Sequence, residues 1–145
     1  MKNISDGECK EQLLIKFDNN YNYIELLDWV RQNLIFEQGK LEKRPNDPIE
    51  IITYGRGKCE EYAIVYTALC LAHGYEARLV VSHIVDAHAW TEIKLDGKWV
   101  HVEPADGIVD QPYRRYDRGR KIAIVIAYEP NSYEVVTLNY KRIHR

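Results

Sequence analysis

The chain changes its hydrophobic period at Gly74, and that change limits the folds open to it. Ahead of the glycine, residues 59–73 carry Ala63, Val65, Tyr66, Leu69, Cys70 and Leu71, apolar around most of a helical circumference. A helix with so little polar surface belongs inside a domain. Beyond the glycine the period drops to two. Residues 78–83, 87–95, 98–103, 121–128 and 132–140 are short runs rich in Val, Ile and Tyr, the pattern of strands. Asp96-Gly97 joins two of them as a two-residue hairpin turn. Helices first and hairpin-linked strands second predict an α+β domain, its central helix packed on an antiparallel sheet.

Local signals fill in the helical half. Residues 11–17 read as a short helical lead-in. Asn20 or Asn22 can cap a helix running to about residue 36, with Ile24, Leu27, Val30 and Leu34 as its stripe and Gly39 as its stop. Residues 41–47 form a loop, and Asp47-Pro48 is a cap followed by a proline at the first helical position, opening a turn or two through Thr53. Gly55 and Gly57 then mark a loop. With 145 residues and no internal repeat, the chain is expected to form one domain over 1–145, its core at about 20–140.

The hairpin turn places side chains. If Leu95 opposes Lys98, then Ile93 opposes Val100, Thr91 opposes Val102 and Trp90 opposes Glu103. Alternation assigns Ala89, Thr91, Ile93, Val100 and Val102 to one mostly apolar face. His88, Trp90, Glu92, Trp99, His101 and Glu103 share the other, which makes His88 and Glu103 diagonal neighbours within reach of a hydrogen bond. A slip of one residue would put them on opposite faces. An exposed His and an exposed Glu on a solvated face are the plain alternative, but Trp90 and Trp99 beside them argue that this face is covered.

Cys59 opens the central helix, where unpaired backbone N–H groups and the positive end of the helix dipole stabilise a thiolate. Arg56 and Lys58 would reinforce that effect, whereas Glu60 and Glu61 would oppose it. Thiol, imidazole and carboxylate in the order Cys59, His88, Glu103 are the parts of a cysteine acyl-transfer site. Cys59 could instead be a small core residue, the reading that suits Cys70. His83 and His101 could join Cys59 and His88 around a metal, but no compact ligand spacing supports it. His73 lies near a helix C-terminus, where a protonated ring meets the dipole favourably, and His144 belongs to a basic tail.

Composition narrows the remaining choices. A net charge of -2 argues against nucleic acid or an acidic membrane as the main partner. The basic run Arg114, Arg115, Arg118, Arg120, Lys121, interleaved with Tyr113 and Tyr116, has Asp106, Asp110 and Asp117 beside it and reads as a solvated loop. Cys9, Cys59 and Cys70 make an odd number without framework spacing, which suits a reducing compartment. No apolar leader opens the sequence and no run is long enough for a membrane helix, so a cytoplasmic location is expected.

Four segments resemble the transglutaminase-like superfamily of papain-fold cysteine enzymes, over roughly residues 24–140. They are Gly57-Lys58-Cys59-Glu60-Glu61-Tyr62-Ala63, Gly74-Tyr75-Glu76-Ala77-Arg78-Leu79-Val80, His88-Ala89-Trp90-Thr91-Glu92 and Trp99-Val100-His101-Val102-Glu103-Pro104. Within that superfamily they are most similar to the catalytic core of cytoplasmic peptide:N-glycanases, as are Asp110-Gln111-Pro112 and the terminal hairpin. The resemblance implies a papain-like α+β core with Cys59 as nucleophile, His88 as general acid/base and Glu103 orienting His88. It implies no metal and no organic cofactor, and a peptide, protein or glycopeptide substrate attacked at a carboxamide through a thioester. Trp29 and Trp90 are the candidates for aromatic substrate contacts. Hydrolysis is expected rather than cross-linking, since the extra domains and calcium sites of animal transglutaminases have no counterpart here. Two features depart from the glycanase pattern: Glu103 stands where the family has aspartate, and the four-cysteine zinc module has no counterpart, since only Cys9 precedes the site. The alternatives are a transglutaminase-like peptidase using the same triad on backbone amides, and a binding domain that kept the fold without the reaction.

Overall fold

The computed structural model describes residues 21–82, 88–109, 122–129 and 132–139. The expected lead-in helix at 11–17, the Asp110-Gln111-Pro112 step, the basic run at 114–121, Cys9, His83 and His144 lie outside them.

Helix α1 (Tyr23–Asn33) starts from a reciprocal cap. The Asn22 side chain accepts from the Glu25 amide at 2.9 Å, and the Glu25 carboxylate accepts from the Asn22 amide at 3.2 Å. The helix stops three residues before the sequence-based end. Ile35 and Phe36 leave it to form a short strand, β1 (Ile35–Phe36), pairing in parallel with β2 (Arg56–Gly57). The Ile35 amide donates to the Gly55 carbonyl at 2.9 Å and the Glu37 amide to the Gly57 carbonyl at 3.0 Å, so the segment finds backbone partners outside the helix. Gly39 is therefore not its stop. The buried stripe also differs: Leu26, Leu27, Val30 and Leu34 face the core, whereas Ile24 is exposed. Leu26 takes the place expected for Ile24.

Helix α2 (Pro48–Tyr54) is capped by Asp47, whose carboxylate accepts from the Ile49 amide at 2.9 Å, and it ends at Gly55 in the left-handed region (φ 78°). The expected glycine loop is instead β2, a strand laid beside β1. Gly57 has no space for a methyl group, because an added Cβ would strike the Glu61 side chain. Helix α3 (Cys59–Ala72) begins two residues later and is buried along most of its length. Two tyrosine hydroxyls tie it to α1: Tyr62 donates to the Leu34 carbonyl at 2.8 Å and Tyr66 to the Tyr23 carbonyl at 3.0 Å. Its C-terminus closes with Gly74 at φ 90° and a Tyr75 amide reaching back to the Cys70 carbonyl at 3.0 Å.

After that turn come β3 (Ala77–Ser82), β4 (His88–Leu95), β5 (Lys98–Glu103), β6 (Ile108–Val109), β7 (Ile122–Glu129) and β8 (Ser132–Asn139). They form one antiparallel sheet in the order β6-β5-β4-β3-β7-β8. Two-residue β6 carries too little pattern to be read from sequence. The β4–β5 register is the one the turn predicts, Thr91 opposite Val102 and Ile93 opposite Val100, with Asp96 and Gly97 both at positive φ. Helix α3 packs on β3, β4 and β7, and Ala89, Thr91, Ile93 and Val102 are buried in the core it shares with the helix. The Thr67 and Thr91 hydroxyls share a 2.9 Å hydrogen bond inside that contact, so neither is left unsatisfied.

Candidate active site

Three elements converge at one end of the sheet: the start of α3, the start of β4 and the end of β5. Cys59 is half-buried at the first position of α3, following a Lys58 cap that makes no side-chain hydrogen bond. Its thiol lies close enough to the His88 ring and the Ala89 backbone N–H for both to favour its ionised form. His88 Nε2 lies 3.0 Å from both Oε1 and Oε2 of Glu103. A carboxylate only accepts, so Nε2 carries the proton, which leaves Nδ1 as the ring nitrogen for the sulfur. The sequence-expected Cys59, His88 and Glu103 are thus brought into one chain of contacts.

The electrostatics follow from those contacts. Burial pushes the Cys59 thiol up, but the His88 hydrogen bond, the Ala89 amide and the charge on His88 outweigh it and hold the thiol below its ordinary value, against the Glu103 charge. Burial opposes the charge on His88 too, yet the hydrogen bonds to Cys59 and Glu103 and their negative charges raise its ring to about 9. Both shifts favour the thiolate–imidazolium form of the pair over the neutral one. Cys70 contrasts with this, since full burial pushes its thiol up to about 12 and leaves it a core residue.

Other neighbours differ from their sequence readings. Arg56 does not serve the thiolate; it pairs with the Glu37 carboxylate at 3.1 Å. The cation beside Glu60 and Glu61 is Arg44, whose Nε and Nη2 each donate to the buried Glu61 at 2.7 Å and whose charge also feels Cys59. No local pattern marks Arg44, seventeen residues from Glu61 in an irregular segment. Burial lowers the His73 ring below its ordinary value, which opposes the protonated form that the helix end would favour.

Trp90, a candidate for substrate contact, is completely buried, stacked on His101 at 4.9 Å with the planes 5° apart and lying 5.5 Å from His88. Trp29 is partly buried against the hydrophobic core. His101 is fully buried, and its Nε2 lies 2.8 Å from Glu103 Oε1. Sequence reasoning weighed this residue only as a metal ligand, although alternation had already placed it two positions from Glu103 on the same face. Among the described residues no His, Cys, Asp or Glu group is arranged to hold a metal ion.

Known proteins share sequence and fold with this chain. Residues 16–104 match the family described as the transglutaminase-like superfamily, under the heading Transglut_core. The chain is 36% identical over 106 residues to a peptide-N(4)-(N-acetyl-beta-glucosaminyl)asparagine amidase of Drosophila melanogaster, covering 70% of this chain and 16% of that protein. Against the enzyme of the same name from Oryza sativa it is 37% identical over 98 residues, covering 65% and 21%. The chain therefore spans only about a fifth or less of the length of these relatives. Among solved structures, a putative cysteine protease from Cytophaga hutchinsonii shares the fold with a TM-score of 0.57 at 19% identity, over 92% of this chain and 50% of that one. Legionella pneumophila LapG does so with a TM-score of 0.53 at 15% identity, over 84% and 72%. The matched segment contains helix α3, strand β4 and Glu103, and the chain belongs to the transglutaminase-like superfamily.

Proposed function

We propose that this domain is a cysteine amidohydrolase in which Cys59 attacks a carboxamide, His88 moves the proton and Glu103 holds His88, with the side chain of a glycosylated asparagine in a peptide as the substrate class. The observation that carries this reading is one imidazole joined to a thiol on one side and to a carboxylate on the other. The similarity to asparagine amidases supports the choice of amide.

In the first step the Cys59 thiolate forms a bond to the carbonyl carbon, and the oxygen becomes an oxyanion. The first-turn amides of α3 have no intrahelical acceptor, and the Cys59 N–H can donate to that charge. Collapse re-forms the carbonyl and breaks the C–N bond, while the His88 imidazolium gives its proton to the departing nitrogen. The products are a thioester on Cys59 and a free glycosylamine. Neutral His88 then takes a proton from water as it attacks the thioester, the C–S bond breaks, and aspartate leaves in place of the original asparagine. Glu103 neither gives nor takes a proton; it fixes the ring and stabilises its charge.

The test is incubation with an N-glycosylated peptide and its unglycosylated twin, followed by mass spectrometry. Glycan release with conversion of that asparagine to aspartate, lost in Cys59→Ala, is expected. Cleavage of the backbone in both peptides would assign the triad to peptidase chemistry, and no turnover of either would leave the domain without this function.

A further inference from the structure

His101 has no part in the proton transfers just described, yet it is one of the largest fully buried side chains in the molecule. Its Nε2 reaches Glu103 Oε1 at 2.8 Å, closer than either contact between Glu103 and His88. Both histidine Nε2 atoms therefore point at one carboxylate. Since that carboxylate can only accept, both must be N–H donors, which fixes the His101 tautomer as well as that of His88. The indole of Trp90 neighbours both rings and lies parallel to the His101 plane.

We propose, resting on the cysteine-hydrolase reading above, that His101 is a positioning residue: by donating to Glu103 Oε1 from a ring locked on Trp90, it holds the acid where it can orient His88 toward Cys59. Glutamate has three rotatable side-chain bonds, and a single contact to His88 would leave the carboxylate several ways to meet the ring. A second fixed donor selects one of them. The same geometry disfavours charge on the His101 ring. Burial holds its ring below the ordinary imidazole value, with the positive His88 adding to that effect and Glu103 and Glu92 opposing it. The charged groups around it are Glu103 on its own strand, His88 and Glu92 on β4, and Arg78 on β3, which is itself paired to Glu92. An imidazolium here would compete with His88 for the same carboxylate; a neutral ring supports it.

Three variants of the full chain test this: His101→Gln, which keeps an N–H donor, His101→Leu, which fills the site without one, and His88→Ala as a control. Circular dichroism and urea midpoints establish folding. The readouts are the rate of Cys59 carbamidomethylation by iodoacetamide against pH and the titration of the His88 ring by NMR. In His101→Leu the Cys59 rate at pH 7 is expected to fall about tenfold, the scale on which loss of an outer partner affects an oriented imidazole, and the His88 titration to move to lower pH. His101→Gln should recover most of both. A folded His101→Leu protein with a wild-type pH–rate profile and an unmoved His88 titration would overturn the proposal. So would equal losses in His101→Leu and His101→Gln, which mark a packing role. Should Cys59 in the unaltered protein react no faster than in His88→Ala, the hydrolase reading itself fails, an outcome separable from the other two. If His101→Leu does not fold, the His101→Gln titration decides, because an intact donor must keep His88 near its wild-type value.

Discussion

Arg44 holds Glu61 through two hydrogen bonds of 2.7 Å, fastening residues 41–47 to the first turn of helix α3. Glu61 is almost fully buried while Arg44 remains half exposed. Removing the guanidinium strands a carboxylate one turn from the thiol and beside the helix dipole. Arg44→Ala is expected to cost about 2 kcal/mol of stability, the scale of an unsatisfied buried polar group. It should also slow Cys59 alkylation at neutral pH. Urea denaturation and a labelling time course check the two effects, and Arg44→Lys should restore only part of each, since one ammonium cannot make both bonds.

Gly57 presses on the same glutamate. Gly57→Ala drives a methyl group into the Glu61 side chain one residue before the Lys58 cap. Overpacking of this kind costs about 1–3 kcal/mol. The loss of Cys59 reactivity should exceed that of Gly55→Ala, whose added methyl group meets no neighbour and is strained only by its left-handed backbone.

Hydrolysis should follow pH between two limits. The Cys59 thiol lies below its ordinary value, so the thiolate persists to lower pH than in a free cysteine and is lost as pH falls through that lowered value. The His88 ring is raised to about 9, so the proton needed by the leaving nitrogen is present at neutral pH and lost above that point. The expected kcat/KM profile is a bell whose alkaline limb falls near 9, and His88→Ala should abolish that limb.

Stability should show the two groups opposing each other. A raised imidazole contributes stability fully present below its unfolded value near 6.5 and lost as pH rises toward about 9, whereas the lowered thiol contributes stability that grows with pH over its own window. Cys59→Ala removes the second contribution and, with it, the sulfur's part in raising His88, leaving Glu103 to hold the ring charged. The alkaline loss of stability in the variant should therefore be complete at a lower pH than the wild-type value near 9, as read from urea midpoints.

The fold was legible where one physical signal acted alone. The apolar circumference of residues 59–72 gave a buried helix, and Asp96-Gly97 set the register that places His88 and Glu103 on one face. It was not legible where distant segments decide. Ile35 and Phe36 read as the end of α1 because only their pairing with Arg56 and Gly57 pulls them out of it. Arg44 carries no local signal, since its partner lies across the fold. Alternation put Trp90 and His101 on the correct face, but not which of the two would be buried against the triad; side-chain stacking settles that, and both are.

Arg78 extends the buried polar layer away from the site. Its guanidinium meets Glu92 at 2.6 Å and lies over the Trp99 ring at 4.0 Å. Glu92 is fully buried, so Arg78→Met leaves a charge without its main partner and is expected to cost about 3–5 kcal/mol. The double variant Arg78→Met, Glu92→Leu should recover much of that loss. A double-mutant cycle on urea midpoints measures the coupling.

The central claim is that Cys59, His88 and Glu103 act as one unit, and brief iodoacetamide treatment at pH 7 with peptide mapping tests it most directly. Cys59 is expected to be modified well ahead of Cys9 and Cys70, with that lead lost in His88→Ala and much reduced in Glu103→Gln. Equal, slow modification of all three cysteines, unchanged by either substitution, would contradict the account.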